Sequence, residues 1–309
     1  MPGFVLTVFQ KIIILFLMIT AGYFCAKRNL VSEDGAKEMS SVLFYVVTPC
    51  VIISSLQSAI GRVSLFNLAV SGALSAASFG IFIALSFLLF GREEKDRRNL
   101  LRFAAVYSNC GFIGLPLVQG LIGEKGVAYA SIYIAVYNLF VWTHGLTMMG
   151  DSDGKDRWKK LVFNPGIIGL AVGFSLYAFS ARLPGILLEP INFFSNLNTP
   201  LAMIVIGVYI ARVPFRSMFE DRCLYRLSIY RLLLLPAICF AVFLPFHVDR
   251  TVLLAMLILN AAPAGANAVM FAAQFGGDTR LASRAVALTT LFSMLTLPIF
   301  PVLANLLCP

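Results

Sequence analysis

"YSNCGFIGLPLVQG", Tyr107–Gly120, lies inside an apolar run long enough to cross a membrane, yet it carries an asparagine, three glycines and a proline. A second stretch, "LNAAPAGANAVMFAAQFGG", Leu259–Gly277, also places asparagine, glycine and proline in mid-span. Pro116 has no N–H, so the carbonyl of Phe112 loses its helical partner. Gly111 and Gly114 tolerate the dihedrals of an unwound turn, and Pro263 and Gly265 offer the same in the second stretch. An unpaired backbone group in lipid costs several kcal/mol, so such a turn persists only inside protein or beside a watery cavity. The two stretches therefore predict interrupted helices that face inward.

The rest of the chain agrees with a membrane setting. Of 309 residues, 59% are hydrophobic and 13% are charged, with a mean hydropathy of +0.87. A soluble domain carries about 25% charged residues. Ten spans of about 20 apolar residues are expected, near 4–26, 37–60, 65–90, 99–122, 127–149, 162–181, 189–211, 227–246, 251–275 and 283–306. Lys11 lies within the first apolar run and Lys27–Arg28 follow it, which reads as an uncleaved helix rather than a signal peptide. Of the 24 Lys and Arg, 19 fall around alternate loops, Arg231 being assigned with loop 7–8. This is the positive-inside pattern, with both termini on the non-cytoplasmic side of the cell membrane. It accounts for the net charge of +9 without a nucleic-acid partner. The six cysteines form no CxxC pair, so neither a disulfide framework nor a metal site is indicated.

A self-comparison at an offset of 151 residues brings Gly22 onto Gly173, Thr48-Pro49 onto Thr199-Pro200, Asn109 onto Asn260 and Gly126 onto Gly277. Four matches at one offset argue for duplication. Five spans per half, an odd number, invert the second half relative to the first. The expected fold is thus an all-α polytopic membrane protein with ten helices in a 5+5 inverted repeat and crossed, interrupted helices 4 and 9. Residues 1–150 form the first repeat, 151–160 a cytoplasmic linker and 161–309 the second repeat.

A helix broken at mid-membrane exposes a new N-terminus whose free N–H groups favour an anion. Paired interruptions in two repeats point to a midplane binding site. The expected substrate-binding residues are Asn109, Cys110, Gly111, Gly114 and Pro116 in span 4, and Asn260, Pro263, Ala264, Gly265 and Asn267 in span 9. The expected site binds a carboxylate through converging helix ends and asparagine amides, without a buried arginine. All fifteen acidic residues lie at or near span ends, which weighs against a cation antiporter. His144, late in span 5, is expected to be a hydrogen-bonded interior histidine. HExxH, GxSxG and rhomboid-type GxSG are absent and no nucleophile–base pair is apparent, so the chain does not read as an enzyme. No cofactor is implied.

"NCGFIGLPL" (Asn109–Leu117), "APAGANAVMFAAQFGGD" (Ala262–Asp278) and "ITAGYFCAKRNL" (Ile19–Leu30) resemble the auxin efflux carrier family, most closely its bacterial permeases. The resemblance implies the fold shared with bile acid–sodium symporters and crossover-type sodium–proton antiporters. Spans 1, 2, 6 and 7 would form a scaffold that makes a homodimer, and spans 3–5 and 8–10 a core that moves like an elevator. Asn109 and Pro116 match the spacing of a substrate-contacting asparagine and its proline, and Pro263 and Gly265 match a Pro-x-Gly. The family proline at the second crossing corresponds to Ala268, with Asn267 before it. The function implied is transport of a small organic anion, auxin-like or a dicarboxylate such as malate or malonate. A ligand sensor that does not translocate and a sodium-coupled symporter are the alternatives.

Overall fold

The computed structural model describes residues 2–150, 163–246 and 248–307, and every regular element among them is helical. Seven helices are long and apolar enough to cross a membrane: α1 (Gly3–Lys27), α2 (Glu33–Ala59), α3 (Leu65–Ser86), α6 (Glu124–Met149), α8 (Gly185–Arg212), α9 (Arg222–Phe246) and α12 (Thr279–Leu306). Three shorter apolar helices, α5 (Cys110–Ile122), α7 (Pro165–Ala178) and α10 (Arg250–Ala261), fall in the three remaining expected spans. Two further helices complete the order, α4 (Lys95–Val106) and α11 (Asn267–Gln274). The expected linker 151–160 lies outside the described residues.

Proline shapes these helices in a repeated way. Among the described residues, turns with i,i+5 pairing occur at four places: Val141–Gly145 in α6 has no proline after it, and the other three are Leu43–Val47 in α2, Cys110–Gly114 in α5 and Tyr230–Leu234 in α9. Each of these three ends two residues before a proline: Pro49, Pro116 and Pro236. The proline ring clashes with the carbonyl four residues back; widening the preceding turn relieves it and re-pairs the backbone, as where Leu235 N–H bonds to Tyr230 O. Pro116 therefore does not unwind span 4. The break lies at Tyr107–Asn109, and Gly111, Gly114 and Pro116, expected to form the unwound turn, are helical. Span 9 opens where expected, over Ala262–Ala266, with Pro263 and Gly265 inside the break.

Glycine sets the closest helix approaches. A methyl group on Gly22 of α1 would lie 2.7 Å from Ile204 Cα in α8, and one on Gly173 of α7 would lie 3.2 Å from Ile53 Cα in α2. The offset of 151 carries one pair into the other. α1 packs along the second half of α8, while α2 packs on α7 and on the first half of α8. α6, the most buried of the long helices, packs against α2, α3, α5 and α10 and so adjoins both breaks.

Candidate functional site

The two breaks meet. Asn109 N–H donates to Pro263 O at 2.7 Å and Gly265 N–H donates to Tyr107 O at 2.9 Å, an antiparallel bridge centred on Ser108 and Ala264. The Ser108 hydroxyl donates to Leu259 O at 3.2 Å, and Ala264 N–H to the Thr289 hydroxyl at 3.2 Å. Each broken segment thus satisfies the other's backbone, which is what allows an extended turn to survive among apolar helices. Gly265 is required by this contact: a methyl group there would sit 2.9 Å from Ser108 O. At Gly111, by contrast, a methyl group would meet nothing within 4 Å.

Two helices end at the breaks, α4 at Val106 and α10 at Ala261, and their last carbonyls need partners. One side chain supplies them. Arg231, in the widened turn of α9, is wholly buried. Its Nε donates to Ala262 O at 2.9 Å, its Nη1 to Ala105 O at 3.1 Å and Val106 O at 3.4 Å, and its Nη2 to Asn260 O at 2.6 Å. The guanidinium also lies over the Phe82 ring, 5.2 Å from its centroid. The expectation of a site without a buried arginine is therefore corrected, as is the assignment of Arg231 to a loop. The signal was in the sequence: Arg231 stands inside the expected span 227–246, and a charged residue within a span faces the protein interior.

The asparagines are placed differently from one another. Asn109 lies in the first break, 5% exposed, and its Nδ2 has no hydrogen-bond partner among the described residues. Asn260 lies in the last turn of α10, where its Oδ1 accepts from Tyr133 Oη at 2.9 Å and its Nδ2 donates to Ser78 Oγ at 2.9 Å. Asn267 begins α11 and donates to Tyr137 Oη at 3.0 Å. Cys110 and Ala264 are buried beside the bridge. His144 Nδ1 lies 2.9 Å from Tyr107 Oη, so the histidine braces the first break from α6.

A cavity of about 500 Å³ opens beside α5, between α2 and α8. Ser54, Ser55, Gln57 and Ser58 of α2 line one wall, and Asn192, Asn196 and Asn198 of α8 another. Leu115 and Gln119 of α5 form its inner side, and Arg62, Glu124 and Arg182 stand around it. None of the ten expected site residues lines it, but Asn198 reaches across to Gly111 O at 3.5 Å. Sequence reasoning missed this polar wall. Its signal was the cluster of serine, glutamine and asparagine in the last turns of one otherwise apolar span and the first half of another.

At one end of the molecule an ion-pair network fixes the start of α4 to the start of α9. Arg97 bonds Glu93 at 2.9 Å and Asp221 at 2.6 Å, and Arg226 bonds Glu93 at 3.0 Å. The Cys223 thiol, then Arg97 and Arg226, hold the Glu93 carboxyl below its ordinary range. Burial works against the Asp221 charge, but Arg97, the Cys223 N–H and Arg284 outweigh it and its pKa is also depressed.

Comparison with known proteins identifies the family. The profile described as "membrane transport protein" matches residues 7–157 and 154–301. The chain belongs to this family, that of the auxin efflux carriers. The transporter is 22% identical over 299 residues to an uncharacterized transporter of Methanocaldococcus jannaschii, covering 94% of this chain and 96% of that one. It is 23% identical over 233 residues to a putative malonate transporter of Rhizobium meliloti, covering 71% and 70% of the two chains. It is 21% identical over 151 residues to PIN-LIKES 1 of Arabidopsis thaliana, covering 43% and 32%. The family and the seven long apolar helices together make this an integral membrane transporter.

Proposed function

We propose that this transporter moves a small organic carboxylate, a dicarboxylate of the size of malonate, by alternating access at the paired breaks. The observation that carries the reading is the buried, unpartnered Nδ2 of Asn109 beside open space at Gly111. A buried donor without a partner costs about 1–3 kcal/mol, a cost that a bound carboxylate removes. The N-termini of α5 and α11 begin at the same place, and both favour negative charge. Cys110, Gly111, Gly114 and Pro116 shape one side of the site, and Pro263, Ala264, Gly265 and Asn267 the other, with Asn260 holding the frame from behind. The malonate named for one relative supports a dicarboxylate.

In this reading the ten spans are two inverted repeats, residues 1–150 and 161–309, joined by a cytoplasmic linker. Both termini lie on the non-cytoplasmic side of the inner or plasma membrane. The matched contacts Gly22–Ile204 and Gly173–Ile53 support a two-fold relation between the repeats. Helices α1, α2, α7 and α8 form the scaffold, which pairs with a second copy, and α3–α6 with α9–α12 form the core. The cavity lies where α2 and α8 face α5 and α6. It is the outward path to the site, and sliding of the core along the scaffold closes it.

The test is uptake of labelled malonate into proteoliposomes, with a thermal-shift screen of mono- and dicarboxylates and aromatic acids. Asn109→Ala is expected to abolish flux while leaving a folded protein of wild-type melting temperature. Unchanged flux in that variant, or saturable binding with no flux in the wild type, overturns the reading.

A further inference from the structure

The carbonyl groups held by Arg231 are those that a coupling cation would use. In transporters with broken helices, unwound carbonyls and half-helix C-terminal ends coordinate sodium, while half-helix N-termini receive the anionic substrate. Here the C-terminal ends of α4 and α10 converge, and Ala105, Val106, Asn260 and Ala262 all turn their oxygens to one guanidinium. Among the described residues, no carboxylate is one of its partners. A charge is costly to bury without compensation, and here the compensation comes from main-chain dipoles and the face of the Phe82 ring. Each helix C-terminus carries about −0.5 charge and each N-terminus about +0.5. The single positive charge of Arg231 offsets the two C-terminal ends and leaves the N-terminal ends of α5 and α11 unopposed.

We infer that Arg231 is a tethered substitute for a coupling cation: it occupies the cation position between the two broken helices permanently, so that the crossing is anion-selective and independent of sodium. The placement is fixed at three points, two on or beside α9 and one on α3. Pro236 widens the turn that presents the arginine, Asp221 caps the start of α9 by accepting from Cys223 N–H at 3.0 Å, and Phe82 stacks on the guanidinium. Arg231 is a positioning residue. All its described hydrogen bonds go to the backbone of the breaks, and its effect on substrate runs through the electrostatics and geometry of Asn109 and the α5 and α11 N-termini. The inference rests on the carboxylate reading for its consequence in transport. The cation position itself can be tested without any substrate.

Purified protein in lipid nanodiscs is melted in sodium chloride, choline chloride and methylguanidinium chloride, with malonate absent. The wild type is expected to melt at one temperature in sodium and choline. Arg231→Ala leaves four buried carbonyls unpaired and is expected to melt on the order of 10 °C lower, and methylguanidinium or sodium, but not choline, restores it in a saturable way. Arg231→Lys, which keeps the charge without the fork, is expected to fall between the two. Saturable, sodium-specific stabilisation of the wild type overturns the inference, as does an alanine variant that melts like the wild type or ignores methylguanidinium. Should the alanine variant not be recovered folded, the wild-type sodium titration and the lysine variant decide. Malonate flux under a sodium gradient and without one is then measured. Equal rates support the inference, and sodium-dependent rates overturn it. Loss of all malonate flux together with methylguanidinium rescue would sink the carboxylate reading alone.

Discussion

The two breaks at the centre of the molecule are paired, but they are not alike. The second, Ala262–Ala266, contains its own cause: Pro263 cannot continue a helix and Gly265 admits the backbone of Ser108 at 2.9 Å from where a side chain would begin. The first, Tyr107–Asn109, contains neither glycine nor proline. It opens because Pro263 O and Gly265 N–H pair with it, because Arg231 takes the carbonyls of Ala105 and Val106, and because the Tyr107 ring is tied to α6 through His144 and Phe140 O. One break is encoded locally and the other is imposed on a helix by its neighbours. The imposed break is also the one that leaves a polar side chain unpaired, on Asn109.

This contrast can be broken or sharpened by substitution. The largest effect is expected from Gly265→Val, which drives a side chain into Ser108 O and separates the pair. Overpacking and two lost buried hydrogen bonds should cost about 3–5 kcal/mol, read as a lower melting temperature and as new hydrogen exchange at Tyr107–Asn109. If the first break holds its protection in that variant, it does not depend on the second. Asn260→Ala should come next, at about 2–3 kcal/mol, since Tyr133 Oη and Ser78 Oγ lose their partner in a buried site. Asn109→Ala removes no bond and should leave the melting temperature unchanged. Equal destabilisation by the two asparagine variants would erase the distinction between a framing residue and a ligand-facing one.

A smaller effect is expected from pH. Glu93 and Asp221 have depressed pKa values in the folded state. The stability they contribute is therefore fully present above the ordinary carboxylate range, about 4, and is lost as pH falls through their lower folded values. Arg97→Gln should flatten this acid limb of the stability curve, measured by melting between neutral and acid pH, and an unaltered limb would remove the network from the account. The smallest change is expected from Gly111→Ala. Its methyl group meets nothing and alanine favours a helix by about 1 kcal/mol over glycine, so stability should hold or rise slightly. Malonate flux should fall as the open space fills.

Much of the site could be read from residue chemistry. Pro263 and Gly265 located the second break, since their effect on a backbone is local. Pro116 misled, because a proline in the first turns of a helix can be accommodated by a widened turn before it, and nothing in the residues near Pro116 says which response the helix takes. Arg231 was legible as a charge inside a span, but charge counting grouped it with the orientation-setting residues of the adjoining loop. The polar wall of Gln57, Asn192 and Asn198 came from two helices whose residues are far apart in sequence, and only packing of α2 against α8 brings them to one cavity.

The sequence by itself determined that the chain lives in a membrane, where its apolar stretches fall, and that two of them carry helix-breaking residues at mid-depth. These follow from hydropathy, length and the missing N–H of proline, all properties of a residue and its near neighbours. Only the tertiary structure decided where the first break lies, which asparagine is left unpaired, and that one guanidinium closes both helix ends. Those outcomes depend on which distant carbonyls and amides reach each other, since a buried backbone group takes whatever partner the folded chain presents to it.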